Sequence, residues 1–159
     1  MLHKLKQRNS SGGFTIIEVM IVLAIATLIL LVVLLAVPAL RRSSTNTTSK
    51  NDAASVAGAI NNFMSNNNGA LPLDICGTGT ITVSDRTGCT SSTNNESINI
   101  QAQTDVTKVT TAPTSANPAT GSIQVLLRND CNGASSRSAA IYYVTQTGNS
   151  TSKWSCQSV

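Results

Sequence analysis

From Val19 to Val37 the chain runs without a charge, and Thr27 is the sole polar interruption. A run of this length crosses the ~30 Å hydrocarbon core of a bilayer as a helix. Immediately ahead of it stands one acid, Glu18. A carboxylate beside such a run costs on the order of a few kcal/mol to desolvate, so it is normally retained for a role and with a partner. Any fold for this chain must accommodate that pairing of an apolar span with a single acid at its mouth.

The residues before the span narrow the reading. Residues 1–13 are short and polar, with Lys4, Lys6 and Arg8 as their charged side chains and His3 as the chain's one histidine. A basic segment of this kind stays on the cytoplasmic side. A secretory signal would continue with an apolar core of about 7–15 residues and a small-x-small cleavage site. Here the run is longer, its exit reads Ala36-Val37-Pro38-Ala39, and no cysteine follows a small-residue box. The small residues, Gly12 and Gly13, lie ahead of the run instead.

At Gly13-Phe14-Thr15-Ile16-Ile17-Glu18 the chain resembles the prepilins of type IV filaments. The resemblance implies cleavage of the Gly13–Phe14 bond by a membrane-embedded prepilin peptidase, with N-methylation of Phe14. It rests on a basic leader, a Gly–Phe junction, and an acid four residues further on inside a spanning segment. It covers about thirty residues, and beyond them the likeness is architectural. Glu18 is the residue on which assembly chemistry converges. Cleavage would give Phe14 a new α-amine with an unperturbed pKa near 8. In a core of packed apolar helices that amine and the carboxylate are each costly alone, and they neutralise when neighbouring subunits set them together. Glu18 is therefore expected to fix axial register by accepting the Phe14 amine of an adjacent protomer. The simpler role for it is a first-turn acid complementing the helix dipole, worth ~0.3–1 kcal/mol.

Composition separates the leader from the rest. The formal charge is +4, but residues 1–13 hold three of the eleven bases and none of the seven acids, leaving eight bases against seven acids beyond them. The basic balance thus belongs to the leader and predicts no nucleic-acid surface; Arg128, Arg137 and Lys153 are too sparse to form one. Serine, threonine and asparagine supply 20, 20 and 15 residues. So polar a surface with so few charges suits an exported domain rich in irregular loop. Sequons at Asn46, Asn95 and Asn149 arise readily by chance in such a chain.

Cys76, Cys89, Cys131 and Cys156 allow three connectivities. Local pairing, Cys76–Cys89 with Cys131–Cys156, is preferred, and each bridge would remove on the order of 3 kcal/mol of unfolded-state freedom. The second closes a loop near the C-terminus, where the resembled family often carries a disulfide. With no C-x-x-C pair and no histidine outside the leader, no metal or other cofactor is expected.

The helix is expected to start at Phe14 and continue past the span, with Pro38 removing one backbone donor and Arg41-Arg42 marking a polar boundary. Those arginines run against the positive-inside rule unless the leader dominates. Ala53, Val56, Ala57, Ile60, Phe63 and Met64 recur at helical spacing, and Asn66-Asn67-Asn68-Gly69 supplies a stop. One helix over 14–67 would reach about 80 Å. Beyond Leu71-Pro72, strands are predicted at 80–83, 97–102, 122–128 and 139–145, with a Pro/Thr-rich loop over 112–121. A turn at Gly148-Asn149 leads into a terminal hairpin with 153–156. The chain departs from the resembled pattern in having no glycine between Gly13 and Gly58.

These readings combine into an α+β, pilin-like, disulfide-stapled fold in which a long N-terminal helix packs on a small antiparallel sheet. The divisions are a cleaved leader (1–13), a transmembrane or filament-core helix (14–40), its amphipathic continuation (41–69) and a β-rich head (70–159). The function expected from the resemblance is that of a structural subunit of a type IV pilus, serving adhesion, twitching motility or DNA uptake. The partners implied are further copies of itself, the prepilin peptidase, an inner-membrane assembly platform and its ATPase. The location implied is the cytoplasmic membrane, leader inside and head exported, and then an extracellular filament. A pseudopilin of a type II secretion system shares the leader, Glu18 and helix, and a minor or competence pilin is a further alternative. An anchored enzyme would need convergent titratable groups, and the acids Asp74, Asp85, Glu96, Asp105 and Asp130 are scattered.

Overall fold

The computed structural model describes residues 12–89, 95–101, 103–148 and 150–159. The basic leader residues, the end of the expected strand at Ala102 and the sequon at Asn149 lie outside them. The described chain consists of one long helix followed by seven strands, and it divides into two compact units, one ending at Pro38 and the other spanning Ala39–Val159.

Helix α1 runs from Ile16 to Asn66 without interruption and carries Pro38 inside it. It begins two residues later than Phe14 because Thr15 occupies the capping position. Among the described residues it is the one helix long and apolar enough to cross a membrane. Its most apolar window has a mean hydropathy of 3.3, and none of that window is buried. Thr27 does not break it, because its hydroxyl donates back to the Leu23 carbonyl at 2.6 Å. The hydroxyl of the span's one polar side chain is thereby satisfied within the helix. The helix stops where asparagine and glycine accept left-handed backbone. Asn68 and Gly69 have φ of 53° and 79°, and the Gly69 N–H closes on the Met64 carbonyl at 2.7 Å. This return bond satisfies a carbonyl that the ending helix leaves open.

In the second unit the C-terminal half of α1 lies against a seven-stranded sheet. Its strands are β1 (Asp74–Thr78), β2 (Thr80–Ser84), β3 (Glu96–Asn99), β4 (Asp105–Val109), β5 (Ser122–Asp130), β6 (Gly133–Gln146) and β7 (Ser152–Ser158). The order across the sheet is β3-β2-β1-β4-β5-β6-β7. From the helix, Ala53, Val56, Ile60 and Phe63 enter the core. Ile75, Ile81, Val83, Val106, Ile123, Val125 and Ile141 meet them from the strands. Helical spacing on one side and period-two alternation on the other give one shared apolar face. The helix contributes to this core from Ala53 to Phe63.

The sheet differs from the antiparallel expectation at its centre, where β4 and β5 run parallel. A parallel neighbour requires a crossover of about a dozen residues. Here the Pro- and Thr-rich segment 110–121 makes that crossover without a helix of its own. It enters β5 through Gly121, whose φ is 82°; a Cβ there would lie 3.0 Å from the Gln103 carbonyl oxygen. The connection from β3 to β4 also crosses the sheet end and is pinned from the helix side. Buried Asp52 accepts the Thr104 hydroxyl at 2.6 Å and the Gln101 N–H at 3.5 Å. In β5 a bulge between Leu127 and Asn129 places Arg128 at φ 61°.

Candidate functional site

The residues on which function was expected to converge lie at the start of α1. Gly12 to Thr15 precede the helix, Phe14 is 90 % exposed, and Glu18 sits in the first turn. The Glu18 carboxylate is not left without a partner. Its Oε2 accepts the Thr15 backbone N–H at 2.8 Å and the Thr15 hydroxyl at 2.7 Å. In return the Thr15 hydroxyl oxygen accepts the Glu18 N–H at 3.3 Å. This reciprocal pair is a capping box, in which two open N–H groups of the first turn are satisfied at once. Thr15, not among the residues singled out from the sequence, is thus the partner that holds the Glu18 side chain. The signal was present in the sequence: Thr-x-x-Glu directly ahead of an apolar run.

Both contacts to the carboxylate fall on one oxygen. Glu18 Oε1 has no partner among the described residues, so the carboxylate can cap its own helix and still accept a further donor. Around it Ile16, Ile17, Met20 and Ile21 are all more than half exposed. An apolar surface of that extent is far beyond what soluble monomers expose and marks a surface that lipid or other helices cover.

The other site residues are distributed through the second unit. Cys76 of β1 is bonded to Cys89, and Cys131, between β5 and β6, is bonded to Cys156 of β7. The Cα–Cα separations are 6.3 and 5.8 Å. The scattered acids take separate structural posts. Asp74 faces Lys108 at 3.6 Å, Asp105 accepts the Thr78 hydroxyl, and Glu96 accepts the Asn66 amide at 2.6 Å. Among the described residues no three of the histidine, cysteine, aspartate and glutamate side chains gather into a group that could hold a metal ion. Of the sequons, Asn46 is committed elsewhere. Its amide donates to the Gln146 carbonyl at 3.0 Å and accepts the Gln146 N–H at 2.6 Å.

A family model described as the prokaryotic N-terminal methylation motif matches residues 8–34, which contain the Gly13–Phe14 junction, Glu18 and most of the apolar span. Over these residues the chain is similar to the N-terminal segment of type IV prepilins. No curated protein and no solved structure matches the chain.

Proposed function

We propose that this protein is a structural subunit of a type IV pilus, cut between Gly13 and Phe14 by a prepilin peptidase and methylated at the new Phe14 terminus. The observation that carries the proposal is the juxtaposition at the head of α1. A single carboxylate, with one oxygen unpartnered among the described residues, stands four residues from the proposed scissile junction, at the foot of the exposed apolar part of α1. The apolar stem is held in the cytoplasmic membrane before assembly. An assembly platform and its ATPase then move it into a bundle of identical stems, with the second unit outside. Within that bundle Glu18 Oε1 accepts the Phe14 amine of a neighbouring copy and sets the axial step. Apolar contact between stems gives cohesion without register, because a smooth apolar surface can slide; one buried charge pair fixes it.

Two variants separate this role from capping. Glu18→Gln keeps the capping box, since glutamine also reaches back to the N-cap N–H, but it removes the charge. It should leave the protein in membranes and eliminate filaments. Thr15→Val removes the cap at a cost of ~1 kcal/mol and leaves the charge, so filaments should persist. Full filament yield from Glu18→Gln would end the register proposal. Mass spectrometry of sheared filaments tests the processing step, with a dominant species beginning at Phe14 as the expected result. The same terminus confined to membranes would point to a pseudopilin or minor subunit, and an intact Met1 would overturn the reading.

A further inference from the structure

Two neighbouring cavities in the unit Ala39–Val159 have no part in the stem or its terminus. The first, about 370 Å³, lies between the turns of α1 carrying Ser44 and Thr48 and the segments carrying Gln103 and Thr120. The second, about 300 Å³, is bounded by residues 117–120 and the turn between β6 and β7, and it shares Thr120 with the first. Both fall within the ~300–1,000 Å³ range of small-molecule sites. Their linings are chemically uniform. Every lining residue is serine, threonine, asparagine, glutamine, glycine, proline or alanine, with no charged and no aromatic side chain. Two further cavities among the described residues differ, one lined in part by Lys108 and Arg128 and another by Lys50 and Tyr143.

That uniformity acts as a filter. An apolar ligand finds no aromatic side chain to cover it, only Pro118 and Ala119. An ion would lose hydration without gaining a counter-charge. A ligand whose surface is made of neutral hydroxyls finds matching groups, since hydroxyls and side-chain amides donate and accept together. The frame is also fixed before any ligand arrives. Asp52 holds Thr104 from behind, and Asn46 clamps both backbone groups of Gln146. Asn117 accepts the Ser152 N–H and hydroxyl, each at 2.8 Å, and donates to the Ser150 carbonyl. The side chains of Ser44, Thr48, Gln103 and Thr120 make no hydrogen bond among the described residues. A preset frame with unused polar groups lowers the ordering cost of binding.

We infer that the paired cavities form a binding site for a neutral oligosaccharide, with one sugar unit in each and Thr120 between them. A cell-surface glycan and a secreted neutral polysaccharide present the same chemistry. The site lies wholly within Ala39–Val159 and stands apart from the filament proposal, because it is read on single subunits.

The test uses the full chain in detergent micelles and saturation-transfer NMR. The probes are lactose for the surface glycans, maltotriose and cellotriose for the polysaccharides, and sialyllactose as the charged counterpart. At least one neutral probe should bind saturably, with a Kd in the range of ~0.1–10 mM. Thr120→Val and Gln103→Ala should each weaken that binding about five- to tenfold by removing one hydrogen-bonding group. The thermal midpoint of each variant should stay at the parent value, which separates lost contacts from lost fold. A response to lactose alone assigns the site to surface glycans, and a response to the glucans alone assigns it to secreted polymer. No saturable binding of any neutral probe, tighter binding of sialyllactose than of lactose, or unchanged binding by both variants would overturn the inference.

Discussion

At Glu18 the two carboxylate oxygens stand differently: Oε2 closes the first turn of α1 through Thr15, and Oε1 has no partner among the described residues; the proposed register role would fall on Oε1. A substitution that removes the carboxylate altogether therefore confounds a frayed helix with a lost charge, whereas glutamine and valine at positions 18 and 15 divide them. Asn46 is a second residue whose chemistry is settled by its partner. With donor and acceptor both committed to Gln146, its amide is not open to a sugar while the second unit is folded. Asn46→Ala should leave a backbone N–H and a carbonyl of β6 without partners and cost ~1–3 kcal/mol. The check is the urea midpoint of the variant against the parent. Peptide mapping of the mature protein should find position 46 unmodified.

Elements were legible in the sequence in proportion to how much of their burial is local. The stretch from Ala53 to Phe63 announced its buried face through helical spacing, and the same residues enter the core. β2, β5, β6 and β7 each carry enough alternation or β-branching to be seen. β1 and β4 were missed because each has a single fully buried side chain, Ile75 and Val106, flanked by polar or charged residues. Their extended form is imposed by neighbours rather than by their own pattern. The parallel β4–β5 pair was equally hidden, since register between distant strands leaves no local mark. The capping box was written plainly but was overshadowed by the cleavage motif that overlaps it. Two glycines give a test at this scale. Gly77 sits at φ 133°, and a Cβ there would fall 2.2 Å from the Thr80 carbonyl oxygen. Gly58 lies in α1 with nothing within 4 Å of such a Cβ. Gly58→Ala should therefore stabilise the protein by about 0.5–1 kcal/mol, the ordinary helix gain. Gly77→Ala should destabilise it by more than that, because the β1–β2 turn must open. Denaturant titration of the two variants should move the midpoint in opposite directions.

For the molecule as a whole, stability rests on the unit Ala39–Val159, whose core draws on small residues such as Ala53, Ala57, Ala59 and Ala139 as well as larger ones. Small side chains bury little area, so the two disulfides form a large share of a domain stability that is typically ~5–15 kcal/mol. In the chain-entropy view each contributes about 3 kcal/mol, and the longer loop contributes more. The Cys131–Cys156 loop spans 25 residues against 13 for Cys76–Cys89. Removing it by paired serine substitution should therefore cost ~0.5 kcal/mol more than removing the other. The location of the loss should differ as well. β7 is an edge strand, paired on one side with β6, and Cys156 anchors it to the turn that precedes β6. Without that bridge an edge strand opens before the centre of a sheet does. Hydrogen exchange on the Cys131→Ser/Cys156→Ser protein should show β7 amides losing protection first, while β5 amides, flanked by β4 and β6, keep theirs. Equal loss in both strands would mean instead that the bridge acts on the unfolded chain alone and that β7 is held by its pairing with β6.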